Sequence, residues 1–149
     1  MNTDAHTNIY DEPKIRDLNF EKDRRIVFLE KELEQYRREI KRIIGIKNNS
    51  YYVLNVDSIV SIKSKDKYNY CKTKDEEYRI KEQLYFLEEV LPKDRFLRIS
   101  NSIIVNVDFV KCFNTDVVGT IIVEMKDGTK ETVSKRRNSE VMKFIKNIK

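Results

Sequence analysis

The chain is poor in the residues that carry most enzyme chemistry. It has one histidine, His6, among its 149 residues, and two cysteines, Cys71 and Cys112. A second histidine, a His–acid or Cys–His pairing and a His/Cys cluster at metal-ligand spacing are all missing, which argues against nucleophilic, acid–base and metal catalysis. No enzymatic activity, metal or cofactor is therefore expected. The two cysteines make no disulfide framework and fit a reduced, cytoplasmic interior as small buried residues. Only three glycines occur, Gly45, Gly119 and Gly128, too far apart for a phosphate-cradling loop. Apolar runs stay well short of the ~20 residues that span a bilayer, so membrane insertion is not expected. The N-terminus lacks the charged-then-apolar order of an export signal.

Charge is plentiful instead. Asp, Glu, Lys and Arg make up 37% of the chain, with a formal net charge of +5. Residues 1–45 hold 10 basic and 10 acidic side chains, and residues 46–149 hold 20 and 15, so the whole excess lies in the second part. A neutral front and a basic back suit a nucleic-acid-binding module behind a neutral appendage.

Residues 1–18 are polar and aperiodic and read as a flexible tail, with His6 solvated and without a role. Residues 19–45 read as a helix, capped by Asp17 or Asn19 and stopped by Gly45. Its apolar residues Ile26, Leu29, Leu33, Tyr36, Ile40 and Ile43 follow steps of three and four, the a/d pattern of a coiled coil. So narrow a stripe favours self-association, giving a homodimer, over packing on the chain's own body. Lys47–Ser50 reads as a polar linker.

Beyond it the helical period disappears. Short strands are expected at Tyr51–Val56, Ile59–Ser64, Tyr68–Thr73 and Glu77–Ile80, then a helix from Lys81 to Leu91 ended by Pro92. Strand-like pieces follow at Phe109–Phe113 and Val117–Val118. Ile121–Met125 and Thr129–Val133 flank Asp127-Gly128, a strong hairpin signal. Val141, Phe144, Ile145 and Ile148 mark a C-terminal amphipathic helix. The acidic pair Glu88-Glu89 reads as an exposed helix face, and alternation assigns most tyrosines to sheet packing.

The stretch that organises this body is Arg95–Asn106. Its apolar pieces Phe96-Leu97-Arg98-Ile99 and Ile103-Ile104-Val105 enclose Ser100-Asn101-Ser102. β-branched flanks around small polar residues predict a rigid turn between buried strands. Asn, Ser and Arg are residue types that hydrogen-bond phosphates and base edges.

Phe96–Asn106 resembles the central motif of the LytTR family of bacterial DNA-binding domains. Asp57-Ser58-Ile59-Val60 and Lys65-Asp66-Lys67-Tyr68 resemble its opening strands. Asp127-Gly128 with Val133-Ser134-Lys135-Arg136-Arg137 resembles its closing motif. The likeness runs in family order from about Tyr52 to Ile148, within a domain placed at residues 51–149. It implies a mainly β (α+β) fold: an elongated set of small antiparallel sheets with two short helices, preceded here by the N-terminal helix. It also implies that DNA is read through loops rather than through a recognition helix.

Three loops carry the candidate contacts. Lys65, Lys67, Tyr68 and Asn69 form the first, Arg98, Ser100, Asn101 and Ser102 the second, and Lys135, Arg136 and Arg137 the third. By resemblance the base or backbone contacts fall on Tyr68 or Asn69, Asn101 and Arg136. Many members of the family carry a receiver domain in front; the first 45 residues here are too few and too polar for one. Control is therefore expected through dimerisation, a regulatory protein partner or abundance. The reading is of a cytoplasmic, sequence-specific regulator of transcription that binds double-stranded DNA. Two alternatives stay open: a protein-interaction adaptor with a coiled coil and a basic β domain, and a binder of single-stranded RNA.

Overall fold

The computed structural model describes the backbone of residues 13–148 and the side chains of residues 22–34 and 39–148. The chain divides into two compact units, one ending at Arg38 and the other beginning at Glu39. The first contains helix α1, Pro13–Arg38. Proline suits its opening turn, because that N–H has no intrahelical acceptor and the ring presets the helical φ. Asp17 and Asn19 lie inside the helix rather than capping it. Of the expected tail, residues 1–12 lie outside the described residues and residues 13–18 are helical. Ile26, Leu29 and Leu33 are exposed along α1, as are Val27 and Phe28. The side chain of Tyr36 lies outside the described residues.

The expected helix end is corrected: Ile40 and Ile43 do not belong to α1. The chain forms strand β1 at Arg42–Lys47 and strand β2 at Ser50–Asn55, paired antiparallel from Arg42↔Asn55 to Lys47↔Ser50. The presumed linker is the hairpin turn. Asn48 and Asn49 both have positive φ, 51° and 65°, as a tight turn matched to strand twist requires. Ile43 is buried in the core and Ile40 packs against it, its N–H donating to the Val90 carbonyl at 2.9 Å. The heptad spacing of these two isoleucines was coincidental; Ile43 is β-branched and suits a strand that its partner β2 and the core bury. Gly45 is not a helix stop. A Cβ there would lie 2.7 Å from the Cβ of Tyr78, so glycine is what lets β1 pass this close.

The remaining elements are β3 (Ser61–Lys65), β4 (Tyr68–Lys72), β5 (Glu77–Ile80), α2 (Leu84–Val90), β6 (Phe96–Ser100), β7 (Ile103–Asn106), β8 (Val110–Thr115), β9 (Ile121–Met125), β10 (Lys130–Thr132) and α3 (Asn138–Asn147). Seven strands form one sheet in the order β2-β1-β5-β4-β3-β7-β6, and three form a second in the order β10-β9-β8. All pairings are antiparallel. Mainly β architecture with short helices is thus what the sequence predicted, although the larger sheet is broader than a set of small ones. Val117 and Val118 are not strand-like. They are exposed in the β8–β9 turn, where the Asp116 carboxylate accepts from the N–H groups of Val118 and Thr120. Tyr51 and Tyr85 are also exposed rather than packed on a sheet.

Two cores result. One gathers Leu84, Leu87 and Leu91 from around α2 against Ile43, Ile62 and Ile104. The other gathers Ile99 and Val105 against Ile121, Val123, Val133 and Val141. The β6–β7 hairpin feeds both: Ile104 faces the first core, and its neighbour Val105 faces the second.

Candidate nucleic-acid interface

Strand pairing and backbone hydrogen bonds bring the three sequence-predicted loops together around the β6–β7 hairpin. β3 runs antiparallel to β7 with Lys63 opposite Ile103, so the β3–β4 turn emerges beside the β6–β7 turn. The Ser64 N–H donates to the Ser102 carbonyl at 2.8 Å and joins the two. The third segment, a 3-10 turn at Lys135–Arg137, is tied to β6 by the Ser134 N–H, which donates to the Ile99 carbonyl at 2.9 Å. It leads directly into the N-terminus of α3, the positive end of that helix dipole.

The candidate residues separate into two groups. Lys67, Tyr68, Asn101, Ser102, Lys135 and Arg136 are exposed. Among the described residues Lys67, Lys135 and Arg136 make no ion pair, and the side chain of Asn101 has no hydrogen-bond partner. Their polar groups are available to a ligand. Lys65 is exposed but pairs with Glu77 at 3.1 Å.

The second group supports the first. Asn69 is corrected from contact to scaffold: it is buried, its amide nitrogen donates to the Glu82 carbonyl at 2.8 Å, and its oxygen accepts from the Ser64 hydroxyl. Arg98 has a side chain only 13% exposed. Its Nε donates to the Ser100 carbonyl at 3.1 Å and its Nη2 to the Asn101 carbonyl at 2.8 Å, so it braces the β6–β7 turn from beneath. Ser100 is half-buried, and its hydroxyl accepts from the Ser102 N–H at 3.2 Å within the same turn. Arg137, 18% exposed, donates from Nη1 to Glu88 at 2.8 Å and to Glu140 at 3.3 Å.

Two residues escaped the sequence reading. Arg79 on β5 is exposed, and its guanidinium lies 3.9 Å from the ring centroid of Tyr68, extending the first loop with a third cation beside Lys65 and Lys67. Alternation along Glu77-Tyr78-Arg79-Ile80 carried that signal, since Ile80 is buried and Tyr78 half-buried. Glu88 on α2 is not part of a solvated acidic face, although Glu89 is exposed. One Glu88 oxygen accepts from Arg98 at 2.9 Å and the other from Arg137. Desolvation raises its pKa, but the hydrogen bonds from both arginines outweigh it and hold the carboxyl below its ordinary value. No local sequence signal announces a carboxylate shared by two distant arginines.

The family model of the LytTr DNA-binding domain matches residues 49–146. The sensory transduction protein LytT of Bacillus subtilis (strain 168) is 26% identical over 131 residues, covering 78% of the chain. The chain spans about half, 54%, of that relative. An uncharacterized HTH-type transcriptional regulator of Staphylococcus aureus (strain MRSA252) is 30% identical over 107 residues, with 72% of the chain and 67% of the relative covered. Among solved structures, a LytTr DNA-binding domain from Bacillus cereus superposes with a TM-score of 0.68 at 25% identity, covering 71% of the chain and 97% of its own.

Proposed function

The chain belongs to the LytTR family of DNA-binding domains, and we propose that it is a sequence-specific regulator of transcription that grips double-stranded DNA with three loops. One observation carries the loop assignment: the Ser64–Ser102 and Ser134–Ile99 backbone bonds bind all three polar segments to the β6–β7 hairpin. Lys67, Lys135 and Arg136 supply uncompensated positive charge for phosphates or guanine. Asn101 supplies an amide that can meet adenine with two hydrogen bonds. Tyr68, backed by Arg79, offers a ring and a hydroxyl. Arg98, Asn69 and Ser100 set the shape of the loops.

Self-association through α1 belongs to the same proposal. Ile26, Leu29 and Leu33 follow the a/d spacing and are exposed, and residues 1–45 are electrically balanced, so two copies would not repel. With Ile40 and Ile43 assigned to the β domain, the seam is shorter than six positions and gives a weak dimer. Pairing would raise affinity for two adjacent sites well above that for one. A cytoplasmic location and control by a protein partner complete the reading.

The test begins with duplexes selected by the full chain from a random pool. Asn101→Ala and Arg136→Ala should each weaken the selected duplex by roughly 1–3 kcal/mol while leaving a scrambled duplex less affected. Lys67→Ala should weaken both and flatten the salt dependence. Equal affinity of both specificity variants and the parent would refute the loop assignment. Single-stranded RNA, or an acidic protein, bound in preference to any duplex would refute the DNA reading.

A further inference from the structure

We infer that Glu88 is a positioning residue for DNA selectivity, a carboxylate that locks the second and third loops at a fixed separation; this rests on the three-loop reading above. α2 is anchored by Leu84 and Leu87, both buried in the first core, which fixes the helix turn from which Glu88 projects. Each of its oxygens takes one arginine, Arg98 from β6 and Arg137 from the 3-10 turn, at 2.9 and 2.8 Å. Arg98 spends its other donors on the carbonyls of Ser100 and Asn101. A continuous run of charge-assisted bonds therefore links the turn that presents Asn101, through Arg98, Glu88 and Arg137, to the segment that presents Arg136.

Base readout by two loops requires both to reach their base pairs at once, which is a matter of relative placement rather than of charge. Phosphate attraction needs only charge. Glu88 opposes that attraction, because its single negative charge offsets one of the two positive charges it binds. Its removal therefore has effects of opposite sign on the two kinds of binding: loosened loops lose selectivity, while Arg137, left with only the exposed Glu140 at 3.3 Å, can turn to a phosphate.

The experiment uses the full chain, a duplex that the parent selects from a random pool, and a scrambled duplex of equal length. Glu88→Gln should lower the ratio of selected to scrambled affinity roughly tenfold or more. Its affinity for the scrambled duplex should hold or rise, with a salt slope steeper by about one. Adding Arg137→Gln should return the slope to that of the parent without restoring the ratio. Mere destabilisation would scale both affinities together and leave the slope alone, and that result overturns the inference. Should Glu88→Gln not fold, Glu88→Asp carries the test. It keeps the charge but shortens the reach, so selectivity should fall at unchanged slope, and unchanged selectivity overturns the inference. A parent that selects no duplex overturns the DNA reading and this inference with it. A parent that selects one, with both Glu88 variants matching its ratio, overturns the coupling alone.

Discussion

Ile104→Ala probes whether the tip of the β6–β7 hairpin rests on a packed base. Ile104 is 1% exposed, pairs with Ile62 on one side and Arg98 on the other, and belongs to the first core. Truncation removes three buried carbons at ~0.8 kcal/mol each, or roughly 2.4 kcal/mol of transfer free energy. The two neighbouring strands are fixed by their own ladders and close poorly over the gap, so a cavity contribution follows and brings the total to about 3–4 kcal/mol. That is a factor of a few hundred in the folding equilibrium. For a domain of this size it lowers the melting temperature by about 15 °C. The denaturation midpoint should fall with the slope unchanged. A parent stability in the usual range of ~5–15 kcal/mol leaves the variant folded at room temperature, so DNA binding should persist there and disappear at a lower temperature than in the parent. Ile103→Ala, at a half-buried position on the opposite face, is the control and should cost less. Equal melts for parent and Ile104→Ala, or a larger loss from Ile103→Ala, would show that the hairpin faces are assigned the wrong way round.

Three further outcomes follow from other elements. Leu33→Lys places a charge in the α1 stripe and should give a folded monomer in sedimentation, with single-site binding kept and paired-site gain lost; a parent already monomeric at roughly tens of micromolar would refute self-association. Burial pushes the Cys71 thiol up to about 12, with the Glu82 carboxylate adding to the effect, so a thiol reagent should label the native chain at the partly exposed Cys112 and reach Cys71 only after unfolding. Because the folded-state pKa of Glu88 lies below its unfolded value, its contribution is complete above the unfolded value of ~4.3 and is lost as pH falls through the lower folded one. Parent and Glu88→Gln should therefore converge in melting temperature on acidification, and a constant gap would argue against the double ion pair.

What the sequence revealed, and what it hid, divides by the range of the forces involved. The Asp127-Gly128 hairpin and the Ser100-Asn101-Ser102 turn are written in neighbouring residues, and each was placed correctly; the C-terminal helix was also legible, but Ile148 lies beyond α3 and is exposed, while Met142 packs on the second core. The end of α1 was not. Ile40 and Ile43 satisfy a helical stripe, and only the pairing of β1 with β2 and packing on the core that contains Leu84 and Leu87 remove them from it. Asn48-Asn49 held the overlooked local clue. Among the candidate residues, the exposure of Asn101 and Arg136 was legible because a turn leaves its polar side chains outside. Asn69, Arg98 and Arg137 share their chemistry and were read as contacts too. Their removal from the surface depends on partners at Glu82 and Glu88, which no spacing rule connects to them.

Three of the bonds that hold the loop cluster together join distant parts of the chain. Ser64 meets Ser102, Ile99 meets Ser134, and Glu88 meets an arginine 49 positions further on. Loop-closure entropy must be overcome before such contacts yield anything, so they form late, whereas the β1–β2 and β9–β10 hairpins can form locally. During synthesis the full cluster of three loops is therefore not assembled early. It is complete only once Arg137 has left the ribosome and the last long-range pairing closes.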